Sequence, residues 1–222
     1  MPSKVIAIDG PSASGKSTVA RKVSAILGYK YVDSGALYRG LAWKAVKLGC
    51  DTFDPAEVIA AMKRMTVDFF VENGAVRYRI DGYEPREEIR GEKVNETVSI
   101  VAAIPEIREK VTQWLQEMSR FGNLVMEGRD IGTVVFPDAA AKFYLDASPE
   151  ERARRRHAEL NPKNTISDVG RIMVSLTNRD KRDSGRKTAP LKLAADAQVV
   201  DTTGLNIDQV VDEIVRRLTI QS

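Results

Sequence analysis

The chain has 222 residues, enough for one substantial core with room for insertions. Hydrophobic residues make up 43% and charged residues 29%, the balance of an ordinary globular protein, and a net charge of +3 does not by itself single out a nucleic-acid partner. One cysteine (Cys50) excludes a disulfide framework or a cysteine-built zinc site within one chain, and the lone His157 leaves little room for a Ser–His–Asp mechanism. No apolar run approaches the roughly 18 residues of a membrane span, and no signal-peptide pattern opens the sequence, so a cytoplasmic protein is expected.

Taken in order, Lys4 to Asp9 is a short apolar run that reads as a buried parallel strand. Behind it, Val19, Val23, Ile26 and Leu27 recur at helical spacing, with Gly28 as the expected C-cap. Lys30 to Val32 is a second strand, ending in Asp33-Ser34-Gly35. The next helix carries Leu37, Leu41, Ala45 and Leu48 on one face and stops at Gly49. Asp54-Pro55-Ala56-Glu57 predicts a capping box opening a short helix to about Met65. Two β-type runs, Thr66 to Val71 and Val76 to Asp81, flank Asn73-Gly74, a hairpin signal. The hairpin interrupts the strand–helix alternation, so residues 36–108 are expected to form an inserted lobe. Pro105 to Phe121 predicts a long amphipathic helix. Leu124 to Met126 and Lys142 to Leu145 are the third and fourth core strands. Ser148-Pro149-Glu150-Glu151 is a second capping-box pattern, opening an arginine-rich helix. Thr165 to Asn178 reads as helix, Arg179 to Lys187 as a basic loop, Gln198 to Asp201 as the fifth strand and Asn206 to Leu218 as a closing helix. The fold class is α/β.

The chemistry concentrates at strand ends, where open parallel sheets bind ligands. The segment Gly10-Pro11-Ser12-Ala13-Ser14-Gly15-Lys16-Ser17-Thr18 fits the P-loop pattern between a strand and a helix. Small residues let the backbone curl with its N–H groups inward, at a helix N-terminus that favours anions. In such a loop Lys16 reaches the β- and γ-phosphates of a nucleotide, and the Ser17 hydroxyl is the candidate magnesium ligand. Asp33-Ser34-Gly35, with Tyr38 and Arg39 one turn on, is a second candidate site. Glu127-Gly128-Arg129-Asp130 is a third, combining carboxylates with a guanidinium that can clamp phosphate. Arg39 alone would pass as an ordinary surface charge. Arg152, Arg155 and Arg156 share a helix face, an unfavourable arrangement unless an anion compensates it. The competing reading is an RNA- or DNA-binding module, but aromatic residues are only 6% and none interleaves with the arginines. Met62, Met65, Met118, Trp43 and Trp114 are read as core, and His157 as a helix-surface residue.

The chain resembles the bacterial cytidylate kinases, a branch of the nucleoside monophosphate kinases. The resemblance rests on Ile8 to Lys16, Asp33 to Arg39, Gly128 to Asp138, Leu145 to Ala153 and Arg179 to Asp183, and runs nearly end to end. It implies a P-loop kinase core of five parallel strands, formed by residues 1–35, 109–150 and 164–222. The same resemblance implies an enlarged monophosphate-binding lobe at 36–108 and a mobile lid at 151–163. Ser34, Tyr38 and Arg39 would lie beside the acceptor nucleotide, with Ser99, Arg108 and Asp130 around the cytosine ring. Arg129, Arg179 and Arg186 would hold phosphate, Asp183 the sugar hydroxyls, and Arg152 and Arg156 would be the lid arginines. Glu127 stands where an aspartate is frequent in the family. The resemblance further implies ATP as co-substrate, Mg2+, CMP or dCMP as acceptor, and a monomer that binds neither nucleic acid nor membrane. A GTPase reading is disfavoured because no Asn-Lys-x-Asp tetrapeptide occurs.

Overall fold

The computed structural model describes residues 3–160 and 169–220. Strands β1 (Val5–Asp9), β2 (Lys30–Asp33), β3 (Val67–Glu72), β4 (Ala75–Ile80), β5 (Leu124–Gly128), β6 (Ala141–Asp146) and β7 (Gln198–Asp201) form one sheet in the order β3-β4-β2-β5-β1-β6-β7. The five strands β2-β5-β1-β6-β7 run parallel, so Asp9, Asp33, Gly128, Asp146 and Asp201 end at one edge. The hairpin does not stand apart from them. Its strand β4 pairs in parallel with β2 at Tyr31 and Ala75, so it extends the same sheet. Asn73 and Gly74 at its tip have φ 49° and 76°, the left-handed pair that a two-residue hairpin turn requires.

Strand alternation divides the core. Val5, Ala7, Val32, Leu124 and Met126 face one side, with Leu37, Leu41, Val98, Ile107, Val111 and Leu115. These come from helices α2 (Ser34–Lys47), α4 (Glu92–Val101) and α5 (Pro105–Glu117). Ile6, Ile8, Tyr31, Val125 and Phe143 face the other side, against α1 (Lys16–Leu27) and α8 (Ile207–Ile220). Helix α3 (Pro55–Arg64) inserts Val58 into the first cluster. Helices α6 (Pro149–Leu160) and α7 (Val169–Gly185) cross near the carboxyl ends of the strands.

Several local expectations need correction. The helix begun at Pro105 ends at Glu117 and tightens into a 3₁₀ turn over Met118–Phe121. Leu48 lies just past the end of α2 and is 55% exposed, off the core face. The Asp54 capping box forms only in part. Asp54 accepts from the Ala56 amide at 2.8 Å, whereas Glu57 accepts from the Asp51 amide rather than folding back on Asp54. At Ser148 the hydroxyl caps the Glu151 amide at 3.2 Å, but the Glu151 carboxylate is taken by Arg154 and Arg155. The stretch expected as a basic loop is helical through Gly185. Its inward positions, Arg179, Asp180 and Asp183, follow helical spacing but face polar partners, so no apolar stripe announces the helix. Residues 161–168, which include the end of the expected lid and the start of the helix expected from Thr165, lie outside the described residues.

Candidate functional site

The P-loop joins β1 to α1. Gly10 has φ +147°, and a Cβ there would stand 2.1 Å from the Leu145 carbonyl oxygen, so only glycine permits this contact with β6. Ala13 at φ 60° and Gly15 at φ 90° complete the curl, a backbone shape tolerated where side chains are small. No side chain caps the start of α1, which leaves its first amides available to an anion. Lys16 folds back over the loop, donating to the Pro11 carbonyl at 2.6 Å and the Ser14 hydroxyl at 3.3 Å. Burial, with the neighbouring charge of Arg129, pushes its ammonium down to about 7. A phosphate chain would reverse that pressure.

The other strand ends converge on this loop. Asp9, at the end of β1, accepts from the amides of Ile131 and Gly132 at 2.9 and 2.8 Å. It thereby fixes the turn that follows Asp130. Burial raises its carboxyl to about 6, against the pull of those two amides. Glu127 at the end of β5 is 4% exposed. It accepts from the Tyr31 hydroxyl at 2.7 Å, while its backbone carbonyl accepts from Ser34 Oγ at 2.7 Å. Burial and the charge of Asp33 raise its pKa, and Lys16, Ser17 and Tyr31 oppose that rise.

Arg129 bridges the sheet and α7: its Nη2 donates to Ser12 Oγ at 2.8 Å and its Nε to Asp183 at 3.1 Å. Arg108 and Asp130 form a buried ion pair at 2.5 Å, with side chains 2% and 5% exposed. A second Arg108 nitrogen donates to the Ala102 carbonyl at 3.1 Å, and Tyr38 lies 5.1 Å below the guanidinium. Arg186 caps the Asp183 carbonyl at 3.1 Å. Ser99 Oγ accepts from Arg182 at 3.2 Å, and Arg39 donates to Asn95 at 2.7 Å.

A cavity of about 350 Å³ opens between these groups. Ser12, Ala13, Gly15, Lys16, Ser17 and Thr18 line one end, and Ser34, Tyr38, Arg39, Ser99, Arg108 and Asp130 the other. Arg129, Arg156, Arg179, Asp183 and Arg186 lie between. Gly10, Pro11 and Ser14 shape the loop from behind. Arg152 is not on the wall. It is 8% exposed and locked to Asp180, with further donations to the carbonyls of Ser12 and Ala147, both at 3.2 Å. The expectation that the arginine face of α6 needs an outside anion fails for the same reason. Arg152 pairs with Asp180, Arg155 with Glu151 and Arg156 with Glu159.

The wall nonetheless carries nine basic side chains against five carboxylates. Arg108 Nε, Arg179 Nε and Arg186 Nη2 are buried donors without a partner. Unpaired buried donors are rare and call for an explanation, and polar ligand atoms supply one. Burial and the charges of Arg129 and Arg39 lower Arg179 to about 10, the signature of cations crowded together. Sequence reasoning missed Asp180, whose carboxylate accepts from the Ser12 amide at 3.0 Å. It also missed Arg90, which lines the cavity, and the bond from Arg155 to Thr202 Oγ1 at 2.9 Å. Only the charge of Asp180, one residue after Arg179, hinted at a place near the loop.

A hard cation fits one corner. Ser17 Oγ and the carboxylates of Glu127 and Asp33 are oxygen donors grouped at the P-loop wall. Among the described residues no cluster of three metal-binding side chains occurs. That sparse set suits Mg2+, which keeps waters and takes its remaining ligands from phosphate. No described helix is long and apolar enough to cross a membrane.

Comparison with known proteins agrees with this geometry. The family model for cytidylate kinase matches residues 6–220. A cytidylate kinase of Pelotomaculum thermopropionicum is 44% identical over 216 residues, covering 96% of this chain and 95% of that one. One from Nitrosomonas eutropha is 43% identical over 210 residues, covering 95% and 92%. Among solved structures, a protein from Thermus thermophilus superposes with a TM-score of 0.51 at 16% identity over 100% of this chain and 98% of its own, a likeness of fold alone. The joined P-loop and arginine-walled cavity, and a match spanning nearly the whole chain, lead to one conclusion: the protein belongs to the cytidylate kinase family.

Proposed function

We propose that the chain transfers the γ-phosphoryl group of ATP to the α-phosphate of CMP or dCMP, giving ADP and the corresponding diphosphate. The observation that carries this reading is that one cavity is lined both by Lys16 and by the Arg108–Asp130 pair, with unpartnered guanidinium donors of Arg108, Arg179 and Arg186 on its wall. ATP phosphates take the P-loop amides and Lys16. The acceptor's phosphate takes Arg39, Arg129, Arg179 and Arg186, its sugar hydroxyls Asp183, and its base Asp130, Ser99 and Arg108. The acceptor oxygen forms its bond to phosphorus as the bridging oxygen of ATP departs with ADP. No protein nucleophile takes part; catalysis consists of alignment and neutralisation of spread negative charge. Ser17 and Glu127 would hold Mg2+, which neutralises phosphate charge when bound. Arg156 closes from α6, while Arg152 acts by holding the P-loop at Ser12.

In this reading residues 36–108 are the acceptor lobe and 151–163 the closing segment, and the protein is a cytoplasmic monomer acting on small molecules. Nothing among the described residues favours the nucleic-acid-binding alternative. The deciding experiment incubates the protein with ATP, Mg2+ and each nucleoside monophosphate in turn. ADP formation that depends on CMP or dCMP is expected. ATP turnover at one rate whatever the acceptor would overturn the proposal.

A further inference from the structure

Tyr31 lies on β2 and Glu127 on the neighbouring parallel strand β5. The register sets Tyr31 beside Val125 and Asp33 beside Glu127. Side chains two positions apart share a face, so Tyr31 and Glu127 stand on the same side of the sheet, one step apart along the strands. The ring is 5% exposed and packs among Val19, Ala20 and Val23, with the Arg21 guanidinium 5.0 Å from its centroid. From that fixed position the hydroxyl reaches forward and donates to Glu127 Oε1 at 2.7 Å.

Glutamate has one more rotatable bond than the aspartate frequent at this place, and so reaches further but holds direction less well. Each freely turning side-chain bond adds entropy that must be lost before a carboxylate can orient a ligand. A ring with two torsions, wedged in the core, is a stiff support for that longer arm. Burial and the charges of Asp33 and Glu127 drive the phenol's ionisation far up, so Tyr31 remains a donor. We propose that Tyr31 is a positioning residue whose hydroxyl fixes the Glu127 carboxylate beside Ser17 and Lys16, preforming the magnesium–phosphate end of the site. The inference rests on the kinase reading above.

Tyr31→Phe keeps the ring and removes the hydroxyl. Calorimetric titration with ADP at stepped Mg2+ concentrations reads the effect without turnover. The variant is expected to need about tenfold more Mg2+ to reach half of the metal-linked gain in ADP affinity, the usual cost of losing a partner behind a metal-facing group. ADP affinity without Mg2+, and CMP affinity, should stay within about twofold of the parent, taking these as contacts away from Glu127. A contact that only stabilises the fold would lower the melting temperature and leave the Mg2+ dependence unchanged; that result overturns the proposal. A second measurement uses the wild-type protein labelled with 13C at the tyrosine ring carbon bearing oxygen. The Tyr31 signal should move when Mg2+ is added to the ADP complex and stay still on adding CMP. A signal silent to Mg2+ overturns the proposal as well. A failed kinase reading looks different: the wild type would show the Mg2+-linked shift with ADP yet transfer no phosphoryl group to CMP.

Discussion

Arg108 and Asp130 meet 2.5 Å apart, 22 residues apart in sequence, with side chains 2% and 5% exposed. The pair serves two purposes. It joins α5 to the turn after β5, and it leaves Arg108 Nε as a buried donor facing no partner. Cytosine offers an amino donor and a ring-nitrogen acceptor, and uracil reverses both. Each mispaired buried group costs about 1–3 kcal/mol, so two imply roughly 30-fold or more in selectivity. Arg108→Met should erase most of the preference for CMP over UMP, read as the ratio of kcat/KM. It should also cost about 3–5 kcal/mol of stability by leaving Asp130 buried alone. An unchanged ratio would place base reading elsewhere.

Lys16→Met removes the P-loop charge and keeps the aliphatic stem. The loss should fall on kcat, by about 10²-fold or more, because the charge matters most as the phosphoryl oxygens gain negative charge. Stability should rise slightly or hold, since the ammonium is held down at about 7 by burial in the free protein. Steady-state kinetics and a denaturant melt check the two halves separately.

Arg152 and Arg156 should part company although both are on α6. Arg152→Ala strands Asp180 behind the P-loop and is expected to cost about 3–5 kcal/mol of stability. Arg156→Ala removes a partly exposed partner of the exposed Glu159 and should change stability by no more than about 0.5 kcal/mol. Its effect should appear in kcat. Equal stability losses in the two variants would contradict the placement of Arg152 described above.

Asp9 offers a pH test. Its carboxyl rises from 3.8 in the unfolded chain to about 6 when buried. The folded state therefore binds more protons between those values, and stability from this group is full below about 4 and is lost as pH climbs through 6. Asp9→Asn cannot ionise, so the difference in unfolding free energy between the parent and the variant should change across pH 4 to 6 and level off above it. A constant difference across that range would remove Asp9 from the titrating groups.

Much of this was legible in the sequence, and the failures share a cause. Apolar periodicity marks β1, α1, the hairpin and α8 because those elements bury hydrocarbon. The end of α7 carries arginines and aspartates instead of leucines, so its helical repeat reads as a charge run. The α6 arginines misled for the related reason that their partners, Asp180 and Glu159, become neighbours only through the fold or the helical turn. The P-loop was plain because its backbone shape restricts residue type locally. The Tyr31–Glu127 contact was invisible because it depends on which strands become neighbours, and β5 enters the sheet between β1 and β2, 96 residues after Tyr31.

The hairpin meets the parallel core at one paired residue, Tyr31 with Ala75, whereas β3 and β4 pair along six. A long ladder resists twisting, but a join of one rung lets the hairpin turn about it with little backbone disruption. Tyr78 on β4 donates to the Ala36 carbonyl at 2.6 Å and lies against Gly40, where a methyl group would stand 2.6 Å from its oxygen. Rotation of the hairpin would therefore be felt by α2, the helix that begins at Ser34 and carries Tyr38 and Arg39. Amide exchange should report it as a contrast: slow for the amides of the β3–β4 ladder and faster for the Tyr31 amide, which donates to the Gly74 carbonyl at 2.9 Å.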